Sequence, residues 1–183
     1  RRQADRLLDS EISDVDGNTE KRRDAISVFN GPKPRIESFQ RQEEEAEAVA
    51  EWLQRCREEG IAPSETAVFV RSENEMKRAQ AAIENAGLQC HPLSTSLEVA
   101  RGSIALSPMH LAKGLEFRAV AVMACDDEVI PNLERIEQIG DTGDLEEIYN
   151  TERHLLYVAC TRARDQLFVT GTEPTSEFMD DLM

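Results

Sequence analysis

Apolar residues recur along the first half of the chain at the spacing of an amphipathic helix. From Gln42 to Glu59 an apolar side chain comes every three or four residues, and glutamates fill most positions between them. The apolar set is Ala46, Val49, Ala50, Leu53 and Cys56. Gly60 and Pro63 then interrupt the pattern. The sequence therefore predicts a surface helix over 42–59 with its glutamates in solvent.

Four continuous apolar runs predict buried strands. They lie at 66–70, 102–106, 119–123 and 166–170. Because these runs do not alternate with polar residues, they are typical of strands covered on both faces of a parallel sheet. A shorter extended segment is predicted at 35–39, and helices at 74–86, at about 145–164 and around Glu177. This order of helices and strands predicts an α/β fold with a mainly parallel sheet flanked by helices.

Two polar, acidic stretches predict loops, at 9–24 and at 126–148. The chain starts without Met, and Ala4, Leu7 and Leu8 have the spacing of a helix, so we expect that it continues a longer chain. The last residues, 173–183, are predicted to form an acidic tail.

Composition limits the classes of function. The 183 residues suit one domain, and 21 Lys and Arg against 36 Asp and Glu give a net charge of −15. This charge opposes a broad nucleic-acid-binding surface, so phosphate contacts would have to be local. No long apolar segment or signal-like start is present, which predicts a cytoplasmic protein with no membrane contact.

The cysteines do not suggest a metal site. Cys56, Cys90, Cys125 and Cys160 form no C-x-x-C pair, and the chain has only three histidines. We expect reduced cysteines that act as small apolar residues, and no metal ligands.

The first group of residues with chemical potential lies between two predicted strands. The segment 109–117 contains His110, Lys113, Gly114 and Glu116. Ligands of open α/β sheets collect at the carboxyl ends of strands, where we expect this segment. The alternative is a polar turn that ends with a glycine.

The second group lies on the predicted helix that ends near Arg164. A helical wheel places Leu155, Leu156, Ala159 and Ala163 on the buried stripe. Arg162 falls within this stripe, whereas Arg153 and Arg164 point away from it. An arginine among buried positions requires an anionic partner. That partner is either an acid of the same domain or a phosphate across a cleft.

Together these segments resemble a known family. His110–Phe117 resembles the H-x-x-K-G-L-E-F motif V, and Glu152–Arg164 resembles the E-R-x-L-L-Y-V-A-x-T-R-A motif VI, of UvrD/Rep-type superfamily 1 DNA helicases. Thr66–Arg71 resembles the strand ending in arginine that precedes these motifs in the family. The resemblance covers about 30–172.

The resemblance implies a RecA-like domain of the P-loop NTPase type, the second (2A) domain of a motor, over 31–172. Residues 1–30 would join it to an N-terminal RecA-like motor domain of the same chain. The motor would use ATP to move 3′ to 5′ along single-stranded DNA. Arg162 would act as the arginine finger, Glu116 would bind the ATP ribose, and Gly114 would allow close backbone approach. Ser107, His110 and Arg71 would lie on the DNA side.

The sequence departs from the family in three respects. Pro108 replaces a threonine, and only 32 positions separate Arg71 from Ser103, too few for the 2B domain that many relatives insert there. The sequence contains no G-x-x-x-x-G-K-[ST] phosphate loop, so this chain alone is not expected to hydrolyse ATP. The Mg²⁺ ligands would then belong to the N-terminal domain. The alternative function is an inactive acidic interaction module that keeps the helicase fold.

Overall fold

The fold is taken from a computed structural model, which describes residues 11–13, 19–21, 32–93, 102–132 and 142–182. The strands are β1 (Glu11–Ser13), β2 (Thr19–Lys21), β3 (Arg35–Phe39), β4 (Thr66–Val70), β5 (Gln89–Pro92), β6 (Ser103–Pro108), β7 (Phe117–Val122) and β8 (Ala163–Thr172). The helices are α1 (Gln42–Glu58), α2 (Met76–Asn85), α3 (Thr142–Cys160) and α4 (Glu177–Asp180).

The apolar runs form the centre of a six-stranded sheet in the order β3-β8-β7-β4-β6-β5. All neighbouring strands in this sheet are parallel. The central strand β4 is buried at every position, as its unbroken apolar sequence predicts. The predicted α/β fold with a parallel sheet is therefore confirmed.

Alternating side chains of the strands form a core on each face of the sheet. On one face, α1 and α2 contribute side chains such as Leu53 and Ile83, which pack with Phe168 of β8. On the other face, α3 packs through residues such as Leu156 against Phe69 of β4. The sheet thus lies between two packed layers, and the loops that connect its strands lie at its two edges.

Several boundaries differ from the sequence prediction. Helix α3 ends at Cys160, not at 164, and strand β8 runs over ten residues from Ala163. The predicted loop at 9–24 contains the antiparallel pair β1–β2. The predicted second loop ends earlier than expected because α3 begins at Thr142. The helix predicted at the start of the chain lies outside the described residues.

The C-terminal residues are part of the packed domain. Phe178, Met179 and Leu182 are buried in the core on the α3 face. The Ser176 backbone N–H donates to the Cys125 carbonyl at 2.9 Å. The packed structure therefore extends to Leu182, beyond the boundary expected at 172.

Within the described residues, the structure has no helix that is long and apolar enough to cross a membrane.

Candidate functional site

Residues of both motif segments meet at the edge of the sheet where β7 and β8 begin. Gly114, Leu115 and Glu116 come immediately before β7, and Thr161 and Arg162 come immediately before β8. The Phe117 backbone N–H donates to the Arg162 carbonyl at 2.9 Å, which fixes the two segments side by side. We call these five residues before β7 and β8 the amino-edge site.

Arg162 lies in a turn, not on the helix as the wheel assumed. Its guanidinium is half-buried and, within the described residues, donates to three neutral acceptors: Nε to the Val158 carbonyl (3.1 Å), Nη1 to the Leu115 carbonyl (3.2 Å) and Nη2 to the Thr161 hydroxyl (3.2 Å). Among the described residues, no carboxylate lies within 4.0 Å of it. An anionic ligand would therefore find an oriented cation with uncompensated charge.

Gly114 and Glu116 leave space beside this arginine. Gly114 has a φ of +82°, and a Cβ atom built on it would meet no atom within 4 Å. Glycine is thus required here by the left-handed backbone and not by a close neighbour. The Glu116 side chain is exposed and has no hydrogen bond or ion pair within the described part of the chain. Its carboxylate is available to accept from a ligand hydroxyl.

The segment that carries motif V crosses from one edge of the sheet to the other. Met109–Leu111 forms a 3₁₀ turn directly after β6, so exposed His110 lies at the carboxyl edge. Glu116 lies at the amino edge, and β6 separates these edges by about 20 Å at roughly 3.3 Å per residue. The expectation that the whole segment lies at the carboxyl ends holds for His110 and is wrong for Gly114 and Glu116.

Two of the three residues expected on the DNA side are buried. The Ser107 side chain is fully buried, and its hydroxyl donates to the Pro108 carbonyl at 3.1 Å. Arg71 is 7% exposed and forms a two-point ion pair with fully buried Glu152. The Arg71–Glu152 pair joins the end of β4 to the middle of α3. In this structure, only His110 of the three presents its side chain to solvent.

A buried charge network at the carboxyl edge was not predicted. Fully buried Glu45 of α1 binds Arg78 of α2, the Ala124 backbone N–H (3.0 Å) and the Thr170 hydroxyl (2.7 Å). Arg78 also binds Asp126 at 2.5 Å. Burial lowers the pKa of Arg78, but the hydrogen bond that it donates to Asp126 and the charges of both acids raise the pKa above its ordinary value. The sequence holds one signal of this network, because Glu45 precedes Val49 by four positions on the apolar face of α1.

The four cysteines are unpaired thiols, as expected. Burial raises the pKa of Cys56 and of Cys160 to about 12, and raises that of Cys125 well above its ordinary value. Among the described residues, no group of three His, Cys, Asp or Glu side chains is arranged to hold a metal ion.

Comparisons with known proteins agree with this architecture. Residues 93–174 match the family model of the UvrD-like helicase C-terminal domain. The chain is similar to the C-terminal domain of a possible DNA helicase from Lactobacillus plantarum WCFS1, with a TM-score of 0.64 and 25% identity. That similarity covers 84% of this chain and 82% of the other.

Curated helicases also match part of the sequence. A probable DNA helicase II homolog of Rickettsia conorii is 35% identical over 79 residues, which are 43% of this chain and 11% of the relative. The ATP-dependent DNA helicase PcrA of Staphylococcus aureus is 39% identical over 67 residues, 37% of this chain and 8% of the relative. The ATP-dependent DNA helicase Rep of Buchnera aphidicola is 36% identical over 73 residues, 40% of this chain and 10% of the relative.

The matches thus span about a tenth of the length of these relatives. The matches, the parallel sheet and the paired motif segments all indicate the same type of domain. Residues 93–174 are therefore similar to the C-terminal domain of UvrD-like helicases, and the chain shares the fold of such a domain.

Proposed function

We propose that this domain is the second motor domain of an ATP-dependent DNA helicase, and that its amino-edge site completes the ATP site of an N-terminal RecA-like domain. Arg162 supplies the arginine finger to the γ-phosphate. The observation that carries the proposal is the oriented Arg162 guanidinium, which is held by neutral acceptors beside Gly114 and Glu116. The names of the relatives support ATP as the nucleotide.

The residues of the amino-edge site fit an ATP molecule that reaches them from outside the domain. ATP supplies a transferable phosphoryl group, whose charge is spread over several oxygens during transfer. The planar guanidinium of Arg162 suits two parallel hydrogen bonds to a pair of these oxygens. The exposed Glu116 carboxylate accepts from ribose hydroxyls, and the open turn at Gly114 admits the ligand to the backbone. In this proposal, Mg²⁺ is held by the N-terminal domain.

Single-stranded DNA is the proposed track, with His110 on the DNA side. The support is the exposed position of His110 at the carboxyl edge and the DNA helicase names of the relatives. One segment, from His110 to Glu116, then joins the DNA contact to the nucleotide contact across the sheet. Movement in the 3′ to 5′ direction is proposed from the resemblance alone.

The test is steady-state ATP hydrolysis, with single-stranded DNA present, by a protein that contains both motor domains. Arg162→Ala is expected to lower kcat by about 10³-fold or more, because an arginine finger acts mainly in the transition state. Arg162→Lys keeps the charge but loses the planar pair of donors, so it is expected to restore only a small part of the activity. Arg164→Ala is the matched control, because this arginine is exposed two positions further along the chain. A kcat of Arg162→Ala near that of Arg164→Ala would reject the finger.

A second candidate is an inactive acidic interaction module with the helicase fold. The net charge of −15 and Pro108 in place of the family's threonine favour it. The two candidates differ in the N-terminal part of the protein. A parent sequence without a phosphate loop upstream would favour the interaction module and reject the motor.

A further inference from the structure

A cavity of about 260 Å³ opens at the start of β3, beside β8 and the last turn of α1. Three cationic side chains line it: Lys33, Arg35 and Arg55. One carboxylate, Glu59, also lines it, so the lining carries net positive charge. In a chain with a net charge of −15, such a concentration of cations is a local anion-attracting feature. The cavity shares no residue with the amino-edge site.

The cations of the cavity differ in how they are held. The Arg35 guanidinium lies 4.7 Å from the centre of the Phe168 ring and is paired with Glu37. This stacking fixes its orientation. Lys33 and Arg55 are exposed and have no ion pair within the described residues. Two exposed cations therefore lie beside one that is fixed by stacking, and the charge of the exposed pair is available to a ligand.

The carboxylate and the floor of the cavity complete the site. Glu59 accepts a hydrogen bond from the Gln166 side-chain amide at 2.5 Å, so part of its acceptor capacity is already used. The floor includes Leu167 and Trp52. Residue Trp52 is 5% exposed, and its ring packs against that of Phe168 with 5.6 Å between ring centres. A rigid apolar floor under a cationic rim suits a ligand with a phosphate and a flat organic part.

We propose that this cavity binds the phosphate of a nucleotide, either free or at the end of a single strand. Arg55 and Lys33 contact the phosphate, and the nucleoside rests against Leu167 and the edge of Trp52. The site is separate from the proposed ATP site, and it does not rest on the proposed function.

Trp52 makes the proposal testable in the 183-residue chain, because it is the only tryptophan. Isothermal calorimetry gives the dissociation constant for pyrophosphate, ADP and a short 5′-phosphorylated oligothymidylate, and Trp52 emission reports where the ligand lies. We expect a saturable emission change with at least one probe, which coincides with the calorimetric binding curve. Arg55→Glu should raise that dissociation constant by about tenfold or more, since it replaces a charge-assisted contact with a repulsive one.

Matched variants separate the cavity from general electrostatics. Arg57→Glu makes the same change of charge at an exposed position of the same helix turn, outside the cavity lining, and should change the constant by less than about twofold. Lys33 lies outside any helix or strand, and Lys33→Glu should raise the dissociation constant as Arg55→Glu does. Arg162→Ala should leave unchanged both the Trp52 emission and the affinity of the cavity for the probes. A failure of the cavity proposal can therefore be distinguished from a failure of the ATP-site proposal.

Each remaining outcome decides the proposal. Tighter binding of ADP than of pyrophosphate supports a free nucleotide, and tighter binding of the oligothymidylate supports a strand end. Equal binding of pyrophosphate and ADP would contradict the contact of the nucleoside with Leu167 and Trp52. Absence of binding by all three probes at low salt would overturn the proposal. Binding that leaves Trp52 emission unchanged, or that weakens equally in Arg55→Glu and Arg57→Glu, would also overturn it.

Discussion

Arg162 owes its position to the place where α3 ends. The Thr161 hydroxyl donates to the Val158 carbonyl at 2.9 Å and the Thr161 backbone N–H donates to the Tyr157 carbonyl at 2.9 Å, which completes the last turn of the helix. The chain then turns into β8, and the arginine side chain folds back onto carbonyls of α3 and of the segment before β7. Neutral acceptors orient the guanidinium without neutralising it, which is the state that a phosphate-binding arginine requires.

Gly171 is required by close packing. A Cβ atom on Gly171 would lie 2.5 Å from the Cys125 carbonyl oxygen, whereas a Cβ atom on Gly60 would meet nothing within 4 Å. Gly171→Ala is therefore expected to lower the free energy of unfolding by about 3 kcal/mol or more, because backbone must move. Gly60→Ala strains only a left-handed residue and should cost about 1 kcal/mol. Urea unfolding followed by circular dichroism measures the free energy of unfolding of both variants. Equal losses of this free energy would show that the contact at Gly171 relaxes freely.

The buried thiols are expected to react slowly. Because burial raises the pKa of Cys56 and Cys160 to about 12, and raises that of Cys125 well above its ordinary value, almost no thiolate forms at pH 8 in the folded state. Half-buried Cys90 should be labelled first by a thiol reagent at pH 8, and the other three should follow only on unfolding in urea. Rapid labelling of all four cysteines in the native chain would contradict the packing described here.

At the scale of elements, α3 is held from two sides near its middle. Glu152 pairs with Arg71 at the end of β4. The next residue, Arg153, lies 4.8 Å from the centre of the Phe178 ring of α4 and 3.4 Å from the Asp181 carboxylate. These contacts fix the helix that leads to Arg162, so we infer that they position the arginine indirectly.

Removing the charge of Glu152 should destabilise the fold. Glu152→Gln leaves the buried Arg71 guanidinium without its counter-charge and is expected to lower the free energy of unfolding by about 3 kcal/mol or more. Asp165→Asn removes one of the two acidic partners of Arg118, in a pair that is about one-third exposed, and it should cost less than about 1 kcal/mol. Chemical unfolding of both variants tests the difference, and a Glu152→Gln loss as small as that of Asp165→Asn would refute the structural importance of the pair.

Sequence patterns predict the elements better than their ends. The apolar run of β4 is predicted with its observed bounds, because burial on both faces leaves no alternative pattern. The short segment of β3 is also predicted with its observed bounds, although it is only partly buried. The end of α3 was predicted too late, since Ala163 and Arg164 continue a helical pattern while the parallel pairing of Ala163 with Phe117 takes them into β8. Burial of Arg71 was not predicted, because its partner Glu152 is distant in sequence.

At the scale of the whole molecule, the two edges of the sheet have different characters. The amino edge carries Arg162 and Glu116 on accessible turns. At the carboxyl edge, the ends of β7 and β8 are closed by the buried network of Glu45, Arg78 and Asp126 and by the C-terminal segment. The acidic net charge is therefore compatible with ligand binding, because the accessible cations occupy small, defined places.

The C-terminal segment should be necessary for stability. Phe178 is fully buried between Tyr149, with 6.0 Å between ring centres, and Arg153. Phe178→Ala is expected to lower the free energy of unfolding by about 3 kcal/mol or more, because it removes a large core side chain. Glu177→Ala, at the exposed neighbouring position, is the control and should change it by less than about 1 kcal/mol. Equal stabilities would show that the segment is a dispensable tail.

In the proposed function, Arg162 contacts the phosphoryl group during its transfer. The direct measurement compares the affinity of ADP with that of ADP–aluminium fluoride, an analogue of the transition state, in a protein with both motor domains. Arg162→Ala is expected to weaken the analogue by about 10²-fold or more and to change ADP affinity by less than about threefold, because the finger contacts only the transferred group. Equal affinities of Arg162→Ala and the unaltered protein for the analogue would contradict the account.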